Sequence, residues 1–299
     1  MSTIEVESVQ ATPPVGVDAA LRAADDPAFV GEPTLFQQEF SLVGRVATVT
    51  GGGRGLGLEM AQALAEAGAT VYCLAKSTDP TDIWRAAQDY VLKLAQAKSS
   101  RLEYRSVDVS DQKAIWAAME DIANKEGRID ICVAAAGIGG VVSCLEVSAE
   151  QFEETINVNV NGAFYTAQGA ARQMKKRGVP GSIIFVSSIA ASVSLQGTPA
   201  TPYCASKAAC NQMARCMAME LGQYGIRVNS LSPGYIPTDF NQKYIDADPK
   251  VGEMWASQNY FGRLGKRSEM RGIAVWLASD SSTFCTGSDI VIDGGHRAW

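Results

Sequence analysis

Histidine is nearly absent from the 299-residue chain, which contains one, His296. The seven cysteines are odd in number, scattered and never spaced as Cys-x-x-Cys. Zinc sites need several Cys or His ligands at short regular spacings, and disulfide frameworks need paired cysteines in a small secreted chain. The sequence therefore predicts neither a metal site nor disulfide bonds, and it favours reduced thiols in a reducing compartment.

Long apolar runs and clusters of basic residues are missing as well. No stretch approaches the roughly 18 apolar residues of a membrane helix, so we expect no membrane span. The net charge is −6, and residues 1–40 account for all of it with seven acidic residues and one basic residue. The rest of the chain is balanced, and phosphate binding needs clustered Lys and Arg. Nucleic acid is therefore not expected as a partner.

Residues 1–40 form an acidic, proline-containing and weakly patterned extension. Such composition predicts a segment that is mobile or draped over the surface. It has no secretory apolar region, and its acidity is unlike a mitochondrial presequence, so we expect a cytoplasmic protein. Residues 41–299 are predicted to form one domain, because the chain is 46% hydrophobic and long enough to bury a substantial core.

Short β-branched runs alternate with amphipathic segments of helix length from Val46 onward. Strands are predicted at 46–50, 70–75, 101–107, 129–134, 182–186, 227–231 and 289–292. Helices are predicted at 56–67, 82–97, 112–125, 149–176, 202–224 and 268–278. Strict alternation implies right-handed crossovers. We therefore predict an α/β fold: a single Rossmann-type, doubly wound parallel sheet of seven strands with helices on both faces.

One long stretch, 237–265, interrupts this alternation and is predicted to be a substrate lid. Its polar side chains are suited to bind hydroxyl groups: Asn241, Gln242, Tyr244, Gln258 and Asn259. Its aromatic side chains are equally suited to line an apolar pocket: Trp255, Tyr260 and Phe261. Composition alone leaves both alternatives open.

A glycine-rich turn follows the first predicted strand, with the sequence Thr50-Gly-Gly-Gly-Arg-Gly-Leu-Gly57, and leads directly into a helix. Glycines there permit a tight turn, a close approach of backbone to a pyrophosphate and close packing of helix on strand. The turn is therefore predicted to bind a dinucleotide. The residues expected to contact the cofactor are Gly51, Gly53, Arg54, Gly55, Leu56 and Gly57.

The end of the second predicted strand bears on the choice of cofactor. NAD-selective sheets place an acid there to bind the ribose hydroxyls, whereas this chain has Ala75, followed by Lys76, with Arg54 in the glycine turn. Two cations and no carboxylate favour a 2′-phosphate, so NADP(H) is the predicted cofactor. The alternative is mixed specificity with both cations simply solvated. Asp108, after the third strand, is expected to cap the next helix or to meet the adenine amine.

Tyr203 and Lys207 stand four residues apart near the start of the predicted helix 202–224. This spacing places a phenol and an ammonium on one helical face. Because a neighbouring cation favours the phenolate form, the pair is a candidate for proton transfer. Cys204 is a weak alternative as a nucleophile, since no histidine lies near it in the sequence.

Five ordered motifs together resemble the short-chain dehydrogenase/reductase family over about residues 40–295. They are Thr50-Gly-x-x-x-Gly-x-Gly57, Asn159 in Val158-Asn-Val-Asn-Gly162, Ser188 in Phe185-Val-Ser-Ser, Tyr203-x-x-x-Lys207 and Asn229-Ser-Leu-Ser-Pro-Gly234. Within that family the chain is similar to fungal polyol dehydrogenases and ketose reductases of the mannitol, arabinitol and sorbose type. The resemblance also implies a homotetramer.

The resemblance implies a catalytic role for four residues. Tyr203 exchanges a proton with the substrate oxygen, Ser188 hydrogen-bonds that oxygen, Lys207 binds the nicotinamide ribose and favours the phenolate, and Asn159 holds a water. Ser187 competes with Ser188, because neighbours at a strand end point to opposite faces. Further cofactor contacts are implied for Val109, Ala136, Gly137, Pro233, Gly234, Ile236 and Thr238, beside Lys76, Asp108, Asn159, Tyr203 and Lys207.

The predicted activity is that of an NADP-dependent enzyme acting on CH–OH groups, which interconverts a ketose or similar polar ketone with its alcohol. A bulkier apolar ketone or a terpenoid alcohol is the alternative substrate. A catalytically silent NADP-binding redox sensor is the alternative of a different class. An intact set of Asn159, Ser188, Tyr203 and Lys207 argues against the sensor, which has no need of proton-transfer groups.

Overall fold

The computed structural model describes residues 15–30, 34–94 and 100–298. Seven parallel strands form one sheet in the order β3-β2-β1-β4-β5-β6-β7. The strands are β1 Val46–Thr50, β2 Thr70–Ala75, β3 Arg101–Ser106, β4 Ile131–Ala134, β5 Gly181–Val186, β6 Ile226–Pro233 and β7 Asp289–Ile292. The predicted seven-stranded doubly wound sheet is confirmed.

Ten α-helices are present in the described ranges. They are α1 Gly16–Asp25, α2 Gly55–Glu66, α3 Asp82–Lys93, α4 Gln112–Glu126, α5 Ala149–Ile156, α6 Ala163–Arg177, α7 Thr201–Leu221, α8 Gln242–Ala247, α9 Pro249–Ser257 and α10 Arg271–Ala278. Buried side chains of α2, α3 and α10 form one apolar cluster, and those of α4, α6 and α7 form another. Alternate residues of a strand belong to opposite clusters, as Ala47 and Val46 do. The sheet is therefore covered by helices on both faces.

Several helix boundaries differ from the predicted ones. The predicted helix 149–176 is divided by a π-helical stretch, Asn157–Gly162, between α5 and α6. Close packing accompanies this stretch, because a Cβ on Gly162 would lie 2.7 Å from Val109 Cγ2. Helix α3 ends at Lys93, and the predicted end of that helix at residue 97 lies outside the described residues. Helix α7 ends at Leu221 and continues as a 3₁₀ turn.

The N-terminal region contains a helix that the sequence reading missed. Helix α1 buries none of its residues, and Phe36 in the following π-helical turn is 79% exposed. Residues 1–14 and 31–33 of the predicted extension lie outside the described residues. The predicted lid contains the two short helices α8 and α9.

Parallel pairing brings the carboxyl ends of all strands to one edge of the sheet. The loops after β1, β4, β5 and β6 meet at this edge, where ligands of open α/β sheets bind. Helix α7 starts beside this edge. Pro202 is tolerated in its first turn because the first N–H groups of a helix have no acceptor within the helix. The order of the strands therefore places Tyr203 near the glycine turn.

Candidate functional site

A cavity of about 770 Å³ opens at the carboxyl edge of the sheet. Every predicted site residue except Asn159 lines it: Gly51, Gly53, Arg54, Gly55, Leu56, Gly57, Lys76, Asp108, Val109, Ala136, Gly137, Ser188, Tyr203, Lys207, Pro233, Gly234, Ile236 and Thr238. The cavity continues from the glycine turn past Tyr203 to the lid. The structure thus brings the predicted cofactor and proton-transfer residues into one space.

The glycine turn is shaped by close approaches of backbone. Gly51 has a φ of +67°, and a Cβ on it would lie 2.9 Å from the backbone nitrogen of Ala136. A Cβ on Gly57 would collide with the carbonyl oxygen of Gly51. Helix α2 begins at Gly55, so its first N–H groups face the cavity side of the turn. The geometry fits a pyrophosphate, because the helix N-terminus favours an anion and the glycines keep side chains out of its way.

Lys76 and Asp108 form an ion pair where β2 and β3 end. The Lys76 ammonium lies 2.8 Å from Asp108 Oδ2, and the Lys76 side chain is 83% exposed. The ammonium and two hydrogen bonds from Ser110 lower the pKa of Asp108 to about 2. The expectation that Asp108 caps α4 is wrong, because the Asp111 side chain accepts the hydrogen bond from Ala114 N–H at that helix start. Asp108 instead compensates the charge of Lys76.

Tyr203 and Lys207 lie together, as their spacing predicts. The Lys207 ammonium is 5.6 Å from the centroid of the Tyr203 ring. It donates a 2.8 Å hydrogen bond to the carbonyl of Val186, the last residue of β5. Lys207 is only 5% exposed. A buried cation is thus held beside the phenol by the end of a central strand.

Asn159 lies behind the cavity wall and is 1% exposed. Its Oδ1 accepts from Ile138 N–H at 2.8 Å, and its Nδ2 donates to the Ile138 carbonyl at 2.8 Å and to Ser206 Oγ at 2.9 Å. A Cβ on Gly137 would lie 3.3 Å from Asn159 Oδ1 and 3.5 Å from Lys207 Nζ. The amide therefore ties the loop after β4 to α7, and the sequence reading missed its partner Ser206.

The two adjacent serines at the end of β5 make different contacts. Ser187 Oγ donates to the Lys207 carbonyl at 3.1 Å, which fastens α7 to the strand. Ser188 Oγ accepts from Ala190 N–H at 3.1 Å, so its own hydroxyl hydrogen is not used in that contact. This difference favours Ser188 as the serine that meets a substrate oxygen.

The amide side chains of the lid form hydrogen bonds within the chain. The Asn241 amide bonds to Thr238 N–H and to the Ile236 carbonyl, and the Asn259 amide bonds to Ala256, Arg263 and Phe261. These two residues stabilise turns of the lid, which favours the apolar alternative of the two that the sequence left open. Gln242 and Gln258 also bond within the chain, to Asp246 and Gln196.

Aromatic side chains form much of the cavity wall near Tyr203. Tyr235 stacks on Trp255 with centroids 4.7 Å apart and planes 7° apart. The Trp255 indole donates to Thr198 Oγ1 at 2.9 Å, and the Tyr244 hydroxyl accepts from Val141 N–H at 3.2 Å. Phe240, which the sequence reading did not single out, packs against Tyr203. Tyr260 and Phe261 are absent from this wall and are 57% and 70% exposed.

Residues 15–30, 34–94 and 100–298 contain no group of three or more His, Cys, Asp or Glu placed to hold a metal ion. No helix of these ranges is long and apolar enough to cross a membrane.

Comparison with known proteins gives the family. The sequence profile of the family described as enoyl-(acyl carrier protein) reductase matches residues 51–297. A crystal structure of a short-chain type dehydrogenase/reductase from Mycobacterium marinum superposes with a TM-score of 0.82 at 34% identity, covering 88% of this chain and all of that one. The chain belongs to the short-chain dehydrogenase/reductase family. The protein is therefore an oxidoreductase.

Two characterised relatives act on sugars or polyols, according to their names. The chain is 35% identical to sorbose reductase sou1 of Schizosaccharomyces pombe, over 86% of this chain and 97% of the relative. It is 34% identical to an NADP-dependent mannitol dehydrogenase of Hypocrea jecorina, over 86% of this chain and 94% of the relative. The predicted resemblance to fungal polyol enzymes is confirmed.

The seven cysteines should react with alkylating reagents at very different rates. All seven lie in the described part of the chain as free thiols. Burial raises the pKa of Cys73 and of Cys132 to about 12 and also raises the pKa of Cys204, so few of these thiols are thiolates near neutral pH. At pH 8 we expect iodoacetamide to label the exposed Cys144 and Cys216 first, as measured by peptide mass spectrometry.

A control in urea should label all seven cysteines at similar rates. Labelling of Cys204 as fast as Cys144 in the native protein would instead indicate an activated thiolate beside Tyr203, and it would reopen the nucleophile alternative.

Proposed function

We propose that the protein is an NADPH-dependent oxidoreductase that interconverts a ketone and a secondary alcohol, with a ketose and its polyol as the favoured pair. The observation that carries the proposal is the buried Lys207 ammonium beside the Tyr203 ring, in the cavity that also contains the glycine turn. A redox sensor has no use for this arrangement, because the pair serves proton transfer.

The proposed roles follow from where charge changes during the reaction. A nicotinamide bound in this cavity supplies or accepts the hydride. Reduction of a carbonyl builds negative charge on its oxygen, which needs a hydrogen-bond donor and an acid. Ser188 is proposed as the donor and Tyr203 as the acid, and in oxidation Tyr203 takes the proton back. Lys207 is proposed to hold the phenolate form and to contact the ribose.

Asn159 is proposed to support this proton path indirectly. Its side chain is fully engaged with Ile138 and Ser206, so it fixes the turn beside Gly137 rather than meeting substrate. Water held near the backbone of Asn159 would connect Lys207 to solvent. The residue thereby keeps the wall next to the ammonium in place.

NADP(H) is proposed as the cofactor on two grounds. The end of β2 carries Ala75 and no acid, and Arg54 and Lys76 line the cavity there. The mannitol dehydrogenase relative is named as NADP-dependent. Asp108 already compensates the charge of Lys76. We therefore propose that Arg54 interacts with a 2′-phosphate more strongly than Lys76 does.

The ketose and polyol pair is proposed from the names of the relatives, a sorbose reductase and a mannitol dehydrogenase. A bulkier apolar ketone remains the second candidate, and one observation favours it. Tyr235 and Trp255 line the cavity, while Asn241 and Asn259 are used inside the lid. The deciding experiment follows NADPH oxidation with fructose, sorbose, xylulose and cyclic ketones. Turnover confined to cyclic ketones would overturn the ketose proposal.

The proton-transfer role predicts the behaviour of Tyr203→Phe. Loss of the hydroxyl removes the acid but leaves the ring and its packing, so we expect kcat for sorbose reduction to fall by about 10²- to 10⁴-fold. The dissociation constant for NADPH, measured by fluorescence titration, should change little. Tyr224→Phe near the end of α7 is the matched control and should keep full activity. Normal turnover by Tyr203→Phe would remove the proposed acid.

The cofactor proposal predicts the behaviour of Ala75→Asp. A carboxylate at the end of β2 repels a 2′-phosphate and can accept hydrogen bonds from ribose hydroxyls. We expect the ratio of kcat/KM with NADPH to that with NADH to fall by about tenfold or more, which corresponds to about 1.4 kcal/mol. Ala75→Asn has the same shape without the charge and should change the ratio less. An unchanged ratio in Ala75→Asp would refute the 2′-phosphate assignment.

A homotetramer is also proposed. Strand β7 is at the edge of the sheet, and Ile290, Val291 and Ile292 are all partly exposed there. An apolar edge strand invites pairing with or coverage by another chain. Light scattering should give a mass four times that of the 31.7 kDa chain. A monomer mass at micromolar concentration would contradict this proposal.

A further inference from the structure

Phe240 reaches back from the loop after β6 to the ring of Tyr203. The two ring centroids are 5.7 Å apart, and the ring planes are tilted by 40°. Gly139 lies against both rings, since a Cβ there would be 2.8 Å from Phe240 Cζ and 2.8 Å from Tyr203 Cδ2. One side of the proposed acid is therefore closed by an apolar ring, with the Gly139 backbone packed against both aromatics.

The backbone on both sides of Phe240 is fastened. Asn241 Oδ1 accepts from Thr238 N–H at 2.8 Å, and Asn241 Nδ2 donates to the Ile236 carbonyl at 2.9 Å. On the other side, the Arg267 guanidinium donates to the Pro237 carbonyl at 3.0 Å and pairs with Asp239 at 3.4 Å. These contacts restrict the turn that carries Phe240, so its ring is a fixed part of the wall and not the tip of a loose loop.

The position of the Phe240 ring affects which substrates fit the cavity. Phe240 lines the cavity and is 40% exposed, so one part of its surface faces open space and another part packs on Tyr203 and Gly139. Both rings line the cavity, so a carbonyl whose oxygen meets Tyr203 can place one of its two substituents beside Phe240. An aromatic ring offers bulk and no strong hydrogen bond, so it acts on size and not on hydroxyl pattern.

We propose that Phe240 determines specificity by limiting the size of the group attached to the reacting carbonyl carbon, and that Asn241 is a positioning residue that holds Phe240 in place. This inference rests on the proposed ketone reduction at Tyr203. A cavity of about 770 Å³ would then select substrates by size at the reacting end and not at the mouth.

The test compares two ketones that differ in one substituent, hydroxyacetone and 1-hydroxy-3-phenylpropan-2-one, with NADPH as reductant. In Phe240→Ala we expect the ratio of kcat/KM for the phenyl compound to that for hydroxyacetone to rise by about tenfold or more. The KM for NADPH should stay within about twofold, because Phe240 is proposed to touch substrate only. Phe261→Ala, a lid aromatic outside the cavity wall, should leave the ratio unchanged.

Asn241→Ala provides a second readout. If its amide positions Phe240, the same ratio should rise, although less than in Phe240→Ala, whereas a general loss of folding would lower both rates equally. Phe240→Leu retains apolar packing and should give an intermediate ratio even if the alanine variant is unstable. An unchanged ratio in Phe240→Leu and Phe240→Ala, with wild-type reduction of hydroxyacetone, would overturn the inference alone. Absence of turnover of any ketone by wild type that still binds NADPH would overturn the proposed function and this inference with it.

Discussion

The hydrogen bond from the Lys207 ammonium to the Val186 carbonyl is the contact on which the site depends. A buried ammonium is costly unless its charge meets polar partners, and the free carbonyl at the end of β5 is such a partner. Ser187 fastens the same end of the strand to the backbone of Lys207. Together these two contacts set the distance of α7 from the sheet and keep the cation beside the Tyr203 ring.

The rest of the carboxyl edge is arranged around that fixed cation. Gly137 allows the loop after β4 to pass close to Lys207, and the Asn159 amide binds that loop and Ser206 of α7. The π-helical stretch at Asn157–Gly162 brings Asn159 to this position from the middle of a long helical segment. Such stretches are frequent at functional sites. The loop after β6 contacts Tyr203 through Phe240, and we propose that this loop determines substrate selectivity.

The sequence predicts the features that follow from the regular spacing of residues along strands and helices and from the positions of the glycines. Strands β1, β4 and β5 are recognisable because parallel strands buried on both faces are continuous runs of apolar and β-branched residues. Tyr203 and Lys207 are recognisable because four residues span one helical turn. The contacts of Asp108, Ser206 and Phe240 are not recognisable, since their partners are far along the chain: Lys76, Asn159 and Tyr203. The role of the lid amides stays open for the same reason, because composition does not tell whether an amide bonds to its own turn or to a ligand.

The most direct test of the account removes the charge of Lys207 and keeps its length, in Lys207→Met, with Lys176→Met at the protein surface as the control. The measurement is kcat for oxidation of the proposed polyol substrate mannitol at saturating NADP⁺. We predict that kcat falls by about 10²- to 10⁴-fold in Lys207→Met, because the variant loses the charged group proposed to support proton transfer by Tyr203, and that kcat stays unchanged in the control. An unchanged kcat in Lys207→Met would contradict the proposed pairing of ammonium and phenol.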